Sequence, residues 1–253
     1  MVRYLLLFFI ASSLSVLLTP LSRSLSLKLG ALDFPDERKV HRRPIPQLGG
    51  LSLFLTFHLV FFLASQLEFF AFPPQFLQTI NYAYLLAASA IVFAMGAADD
   101  FWKISPGLKL LFQSIGGLII SFTPFRVQEI SFPFGSLELG VWAIPFTVLW
   151  VVAITNALNL LDGLDGLAAG TTFIVSLSIF AIGLLNENTG SPLFCIILAG
   201  TALGFLRYNF HPASIFLGNS GAYFLGFMLS LLSLQSHAKN TAVVVILIPL
   251  LLL

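Results

Sequence analysis

The amino-acid sequence predicts an all-α fold, a polytopic membrane helical bundle of about nine transmembrane helices, and three observations carry that reading. Of 253 residues, 58% are apolar and 9% charged, whereas a soluble domain carries about 25% charged residues. Too little charge is present to solvate a folded surface of this size. The apolar residues also form continuous runs near the roughly 20 residues that a bilayer-spanning helix needs, without the alternation of a membrane barrel. Finally, the charges concentrate between the runs or at their edges. Composition therefore excludes a soluble enzyme and a disordered chain. With Cys195 as the single cysteine it excludes a disulfide-built domain, and a net charge of +1 provides no field to attract nucleic acid.

Taken in order, the first run, about 4–22, resembles a signal peptide in apolarity but has no A-x-A cleavage site, and so reads as a retained helix. The others lie at about 51–67, 82–98, 108–124, 141–158, 167–185, 192–206, 220–235 and 241–253. Two of them, 51–67 and 192–206, are short and require tilt or local thinning. The segment 126–140 (RVQEISFPFGSLELG) reads as a short hairpin. His58 lies within a run and is expected to find a partner on a neighbouring helix, while Cys195 is expected to pack. The last residues, Ile248 to Leu253, stop inside apolar sequence. The expectation is a single domain over 1–253 whose C-terminal part is missing.

Alternating spans place 23–50, 99–107, 159–166 and 207–219 on one side. With Lys109 assigned to that side, it receives nine of the 12 basic residues and seven of the 11 acidic ones. The positive-inside rule makes this side cytoplasmic and puts the N-terminus outside.

Four motifs fall on the charged side. Gly96-Ala97-Ala98-Asp99-Asp100-Phe101-Trp102-Lys103 precedes Lys109. Its adjacent carboxylates repel unless a cation lies near them, which points to a metal or a proton-transfer role. Asn156, Asn159, Asp162 and Asp165 recur every three residues within N-A-L-N-L-L-D-G-L-D-G-L, so that on a helix they share one slowly drifting face. Gly163 and Gly166 allow the backbone to turn close to a ligand. The loop Arg207–Gly221 carries Asn209, Phe216 and, just before a helix, Asn219. There the free N–H groups of a helix N-terminus could receive phosphate, or Asn219 could simply cap the helix. The fourth motif, Asp33–Gly50, sets Lys39 and His41 among Pro and Gly punctuation, as an ordered loop or a basic segment that binds lipid headgroups. Carboxylates gathered with lysines at the mouth of a bundle suit Mg²⁺, which takes one or two carboxylates and completes its shell with water and phosphate.

These motifs, R-K-x-H-x-x-P-x-P-x-x-G-G, G-x-x-D-D, N-x-x-N-x-x-D-G-x-D-G-L and N-x-x-P-A-x-x-F-x-G, occur in this order along nearly the whole chain. Together they resemble the polyprenyl-phosphate N-acetylhexosamine-1-phosphate transferases (glycosyltransferase family 4, which includes MraY), and the first loop is closest to the WecA/TagO-like branch. The resemblance implies a multi-pass enzyme of the cell (inner) membrane with a cytoplasmic active site. It would transfer N-acetylhexosamine-1-phosphate, GlcNAc-1-phosphate first among candidates, from a UDP-N-acetylhexosamine to undecaprenyl or another polyprenyl phosphate, releasing UMP. That reaction begins a cell-envelope glycan such as lipopolysaccharide or teichoic acid. Mg²⁺ is the implied cofactor, with Mn²⁺ as a substitute, and a homodimer is a family expectation. By motif position Asp99 and Asp100 resemble catalytic residues. Lys39, His41, Lys103, Lys109, Asn156, Asn159, Asp162, Asp165, Asn209 and Phe216 resemble residues that bind substrate, with Phe216 placed to stack on uridine. Asp99, Asp162 and Asn219 occupy positions for a metal.

Two departures stand out. Where the family usually has an acid, G-D-x-G, this chain has Gly218-Asn219-Ser220-Gly221. The amide keeps an oxygen but removes a negative charge, which should weaken Mg²⁺. The chain also ends before a later basic, His-rich loop. The expectation is weak or no transferase activity from the polypeptide as given, which keeps a catalytically impaired relative as an alternative. A transporter or flippase is disfavoured because the acids sit at span boundaries and no repeat is visible.

Overall fold

The computed structural model describes residues 1–35, 42–67, 70, 82–132, 135–185 and 191–235. Eight α-helices occur among them: α1 Val2–Leu29, α2 Gly49–Gln66, α3 Tyr82–Trp102, α4 Pro106–Ser121, α5 Ala143–Leu161, α6 Leu167–Leu185, α7 Ser191–Asn209 and α8 Gly218–Gln235. Two strands, β1 Leu32–Asp33 and β2 Ile45–Pro46, pair antiparallel after α1. Two more, β3 Glu129–Phe132 and β4 Gly135–Glu138, form the hairpin expected within 126–140. Six helices are long and apolar enough to cross a membrane: α1, α2, α3, α5, α6 and α7. The protein is a multi-pass membrane protein of helical class. The expected ninth span, 241–253, lies outside the described residues, as do Lys39 and His41.

Several boundaries move. The two short spans become helices of 18 and 19 residues, which removes most of the mismatch. Helix α1 runs on to Leu29, where Gly30 takes a left-handed conformation (φ 71°) and its N–H closes the last turn on the Ser26 carbonyl. Helix α3 also continues, so Asp99 and Asp100 belong to its final turn and not to a loop. Helix α4 starts at Pro106, where a missing N–H costs nothing.

Helix α8 sits at the centre, against α2, α3, α5, α6 and α7. Ala222, Tyr223, Phe224, Leu225, Phe227, Met228, Leu231 and Leu232 are almost wholly enclosed. Helix α1 packs at the periphery on α7 and α2. Its buried stripe recurs every three or four residues as Leu7, Ala11, Ser15, Thr19, Ser22 and Ser26, while Leu5, Phe9, Leu17 and Leu21 face outward. The Ser15 hydroxyl donates to the Thr201 carbonyl at 2.8 Å, and Ser22 donates to the Leu48 carbonyl. Small polar side chains of this kind let helices approach closely in lipid. His58 finds the expected partners on α3: Nε2 lies 2.9 Å from Ser89 Oγ and Nδ1 lies 3.3 Å from Tyr82 Oη. Cys195 is buried in packing, as expected.

Candidate functional site

Hydrogen bonds draw the described parts of the four motifs to one end of the bundle. The first contact is between chain segments. Phe216 N–H donates to the Pro46 carbonyl at 2.7 Å, Gly49 N–H to the Phe216 carbonyl at 3.1 Å, and Gly50 N–H to the Leu217 carbonyl at 2.9 Å. The start of α2 thereby lies directly on the start of α8. A Cβ on Gly50 would sit 2.2 Å from the Gly221 nitrogen, so the Gly-Gly pair is demanded by a backbone crossing. Arg23 Nε adds a donor to the Ser214 carbonyl, tying α1 to the same end.

The adjacent aspartates of α3 engage different partners. Successive helical residues point about 100° apart, and these two turn to different partners. Asp99 Oδ2 lies 2.6 Å from Lys109 Nζ at the start of α4, and Asp99 Oδ1 accepts the Ile104 N–H at 2.8 Å. Asp99 is buried, and the lysine supplies the charge that such a carboxylate requires. Asp100 turns to α8 instead. Its Oδ1 accepts the Asn219 N–H at 2.7 Å and its Oδ2 the Ser220 N–H at 3.1 Å. The helix N-terminus that the sequence offered to phosphate, or to a cap by Asn219, is therefore capped by Asp100 from another helix. An anion there satisfies two orphan N–H groups and the positive end of the helix dipole. Gly218, at φ 73°, makes this approach possible, since a Cβ would lie 2.8 Å from Asp100 Oδ2 and 2.1 Å from the Gln47 main-chain carbonyl oxygen. Gln47 Nε2 in turn donates to the Asp100 carbonyl at 2.8 Å.

The three-residue recurrence of the second motif holds only in part. Helix α5 ends at Leu161, and Asp162 closes it through an N–H on the Asn159 carbonyl. Asn156 and Asn159 thus share the helix, whereas Asp165 belongs to the turn that leads into α6, with Gly166 at φ 74°. That turn is clamped to the third motif. Asp165 Oδ2 accepts the Ala213 N–H at 3.0 Å and lies 3.0 Å from His211 Nδ1. Gly166 N–H donates to Asn209 Oδ1 at 3.2 Å, and Asn209 Nδ2 to the Ile215 carbonyl at 3.1 Å. Asn209 is buried and spends these groups on two loops. Phe216 and Asn219 are half-buried next to the α2–α8 contact. Lys103, exposed just beyond α3, adopts φ 48°.

Asp162 differs from its neighbours. Burial first, then the Asp100 carboxylate and then that of Asp165, push its carboxyl well above the usual range. A group held among like charges is one that a cation would relieve. Among the described residues no three His, Cys, Asp or Glu side chains converge as a metal cage. The donor chemistry nevertheless fits a hydrated, oxygen-seeking dication that takes few protein ligands and leaves positions for phosphate.

Sequence reasoning passed over Gln113 and Gln47. Gln113 is one turn after Lys109 in an apolar helix, and a polar residue inside a span was the available signal. Gln47, within the Pro/Gly motif, had none, because its partner is a backbone carbonyl brought close only by folding.

Residues 82–237 match the family described as glycosyl transferase family 4. The chain is 39% identical over 249 residues to a probable undecaprenyl-phosphate N-acetylglucosaminyl 1-phosphate transferase of Bacillus subtilis, covering 97% of this chain and 66% of that one. It is 37% identical over 220 residues to a decaprenyl-phosphate N-acetylglucosaminephosphotransferase of Mycobacterium tuberculosis, covering 82% and 54%. A phospho-N-acetylmuramoyl-pentapeptide-transferase of Caldanaerobacter subterraneus is 36% identical over 215 residues, with 79% and 64% covered. The chain thus spans between about half and two thirds of the length of these relatives. A match over more than half of the sequence, with the family's motifs gathered at one end of the bundle, establishes that the chain belongs to glycosyl transferase family 4.

Proposed function

We propose that the protein transfers N-acetylglucosamine-1-phosphate from UDP-N-acetylglucosamine to undecaprenyl phosphate, releasing UMP, at the cytoplasmic face of the cell membrane with its N-terminus outside. The observation that carries this reading is the convergence of Asp99–Lys109, Asp100 on the α8 N-terminus, and Asp162 and Asp165 beside the 209–219 loop. The printed functions of the relatives, on undecaprenyl and decaprenyl phosphate, support the choice of acceptor.

In the reaction an oxygen of the lipid phosphate attacks the phosphorus that carries the sugar. The bond from that phosphorus to the bridging oxygen breaks, and UMP leaves with its electron pair. The two phosphates repel, so positioning and charge neutralisation are the main tasks. A bound Mg²⁺, held by Asp162 with Asn219 and Asp99 as further candidates, would neutralise the diphosphate. Lys109 and Lys103 offer ammonium groups to phosphate oxygens. Asp99 fixes Lys109, and Asp100 fixes the α8 start and with it Asn219. Phe216 offers a ring to the uracil, and the buried Asn209 holds the loop that presents it. Lys39 and His41 belong to this reading by motif, and a homodimer by family.

Purified protein in nanodiscs with undecaprenyl phosphate, Mg²⁺ and a panel of UDP-sugars tests the proposal. UMP release with UDP-N-acetylglucosamine is expected, and its absence across the panel overturns it. One observation favours a second reading, binding without turnover: an amide stands at Asn219 where the family usually has an acid. Asn219→Asp separates the two, since a gain of at least about tenfold in turnover marks a weakened metal position.

A further inference from the structure

Asn156, a substrate-binding candidate by its motif, forms an amide pair between α5 and α4 with Gln113, which the transferase reading does not use. Asn156 Nδ2 lies 2.8 Å from the Val152 carbonyl on its own helix and 2.6 Å from Gln113 Oε1. A backbone carbonyl only accepts, so the atom of Asn156 that faces it must be the nitrogen. The carbonyl thereby decides which way the Asn156 amide is turned. Both hydrogens of that nitrogen are then committed, and Gln113 must present its oxygen.

Two consequences follow. Asn156 has only Oδ1 left to offer, so it can accept a hydrogen bond but not donate one. Gln113 is 0% exposed, and its Nε2 meets no acceptor. A buried donor without a partner is unfavourable. Turning the Gln113 amide to relieve it would set a nitrogen against the Asn156 nitrogen. The pair therefore keeps an unsatisfied group in exchange for one fixed orientation of Asn156. Its location gives that orientation a use. Gln113 follows Lys109 by one turn on α4, and Asn156 precedes Asn159 and Asp162 on α5. The pair lies on the membrane side of the carboxylates.

We propose that Gln113 is a positioning residue that locks Asn156 as a hydrogen-bond acceptor, so that this part of the site receives a donor group of the nucleotide-sugar. The partner is a hydroxyl or amide N–H, because an ionised phosphate oxygen has no hydrogen to give. The inference rests on the transferase reading for the identity of the ligand, but not for the geometry of the pair.

The test uses the full chain in nanodiscs and four proteins: Gln113→Leu, Gln113→Glu, Asn156→Ala and the Gln113→Leu/Asn156→Ala double variant. Gln113→Leu should raise KM for UDP-N-acetylglucosamine about five- to tenfold and leave kcat within about twofold. Gln113→Glu keeps an acceptor oxygen facing Asn156 but buries a carboxyl in place of the amide, so it should raise KM less than Gln113→Leu under conditions that keep that carboxyl protonated. In the Asn156→Ala background, Gln113→Leu should add nothing to KM, and the confinement of the single-variant effect to KM is what a merely structural role would not produce. Additive effects, an unaltered Gln113→Leu enzyme, or a change confined to the Mg²⁺ requirement would each overturn the inference. Thermal-shift titration with UDP-N-acetylglucosamine separates this result from the fate of the transferase reading. If wild type binds without turnover, weaker binding by Gln113→Leu sustains the positioning role, and equal binding, or no binding by wild type, overturns it.

Discussion

Helices α1 and α8 invert the usual relation between hydrophobicity and burial. The most apolar stretch of helix α1 has a mean hydropathy of 2.1, the highest among the spanning helices, yet only 28% of it is buried, and beyond Tyr4 and Leu7 its inner stripe is built from serines, threonine and alanine. Helix α8 is not among the six helices with a stretch apolar enough to span, yet it is enclosed almost on every side. In lipid the outward face gains nothing by being polar, and helices associate through close packing and hydrogen bonds instead of escape from water. The difference teaches that in this protein the helix without a span-grade apolar stretch marks the centre. It also places the site: the central helix begins at the site end, where Asp100 and the Gly50 backbone meet it.

The largest expected effect comes from severing that junction chemically. Asp100→Asn keeps one acceptor oxygen for the α8 N–H groups but removes the charge, and UMP release should fall by at least about 100-fold while the protein still purifies folded. Retained turnover would make Asp100 a cap alone. Gly50→Ala attacks the same junction sterically, since its Cβ would lie 2.2 Å from the Gly221 nitrogen. A loss of about 3 kcal/mol in thermal or denaturant unfolding is expected. Lys109→Met leaves the buried Asp99 carboxylate without its partner and should cost a comparable ~3 kcal/mol, with Asp99→Asn/Lys109→Met recovering most of it.

A smaller effect concerns pH. The Asp162 carboxyl is raised above its ordinary value by burial and by its acidic neighbours. A raised carboxylate contributes stability that is complete below its unfolded-state value and lost as pH rises through the folded one. Stability without metal should therefore decline with rising pH over that interval, and Asp162→Asn should flatten the decline. If Asp162 holds Mg²⁺ as proposed, it does so in the ionised form, so the half-saturating Mg²⁺ concentration should fall over the same interval. On α1, by contrast, Leu17→Ala removes a lipid-facing side chain and should change unfolding by less than about 0.5 kcal/mol. A large loss there would mean that this face is covered by protein.

Much of the candidate site was legible because its residues are polar islands in apolar sequence. Asp99, Asp100, Asp162 and Asp165 are visible against their surroundings, and charge sorting put them on one side before any geometry was known. What each one touches was not legible. Two neighbouring aspartates read as a repelling pair, but the helix turns them to separate partners. Asn219 read as a cap or as part of a phosphate-binding helix start, yet Asp100, 119 residues away in the chain, caps that helix. Gln113 carried a signal only as a polar residue in a span, and its link to Asn156 depends on how α4 meets α5.

By itself the sequence determined the membrane, the helical class, the hairpin and the family's motifs in their order. Each of these follows from local composition, periodicity or short-range spacing. The tertiary structure alone decided that α8 is central, that Asp100 closes its N-terminus, and that the Asn209 amide is consumed in joining two loops. These depend on groups far apart in sequence, whose backbone donors and acceptors have no pattern of their own until packing brings them within hydrogen-bond range.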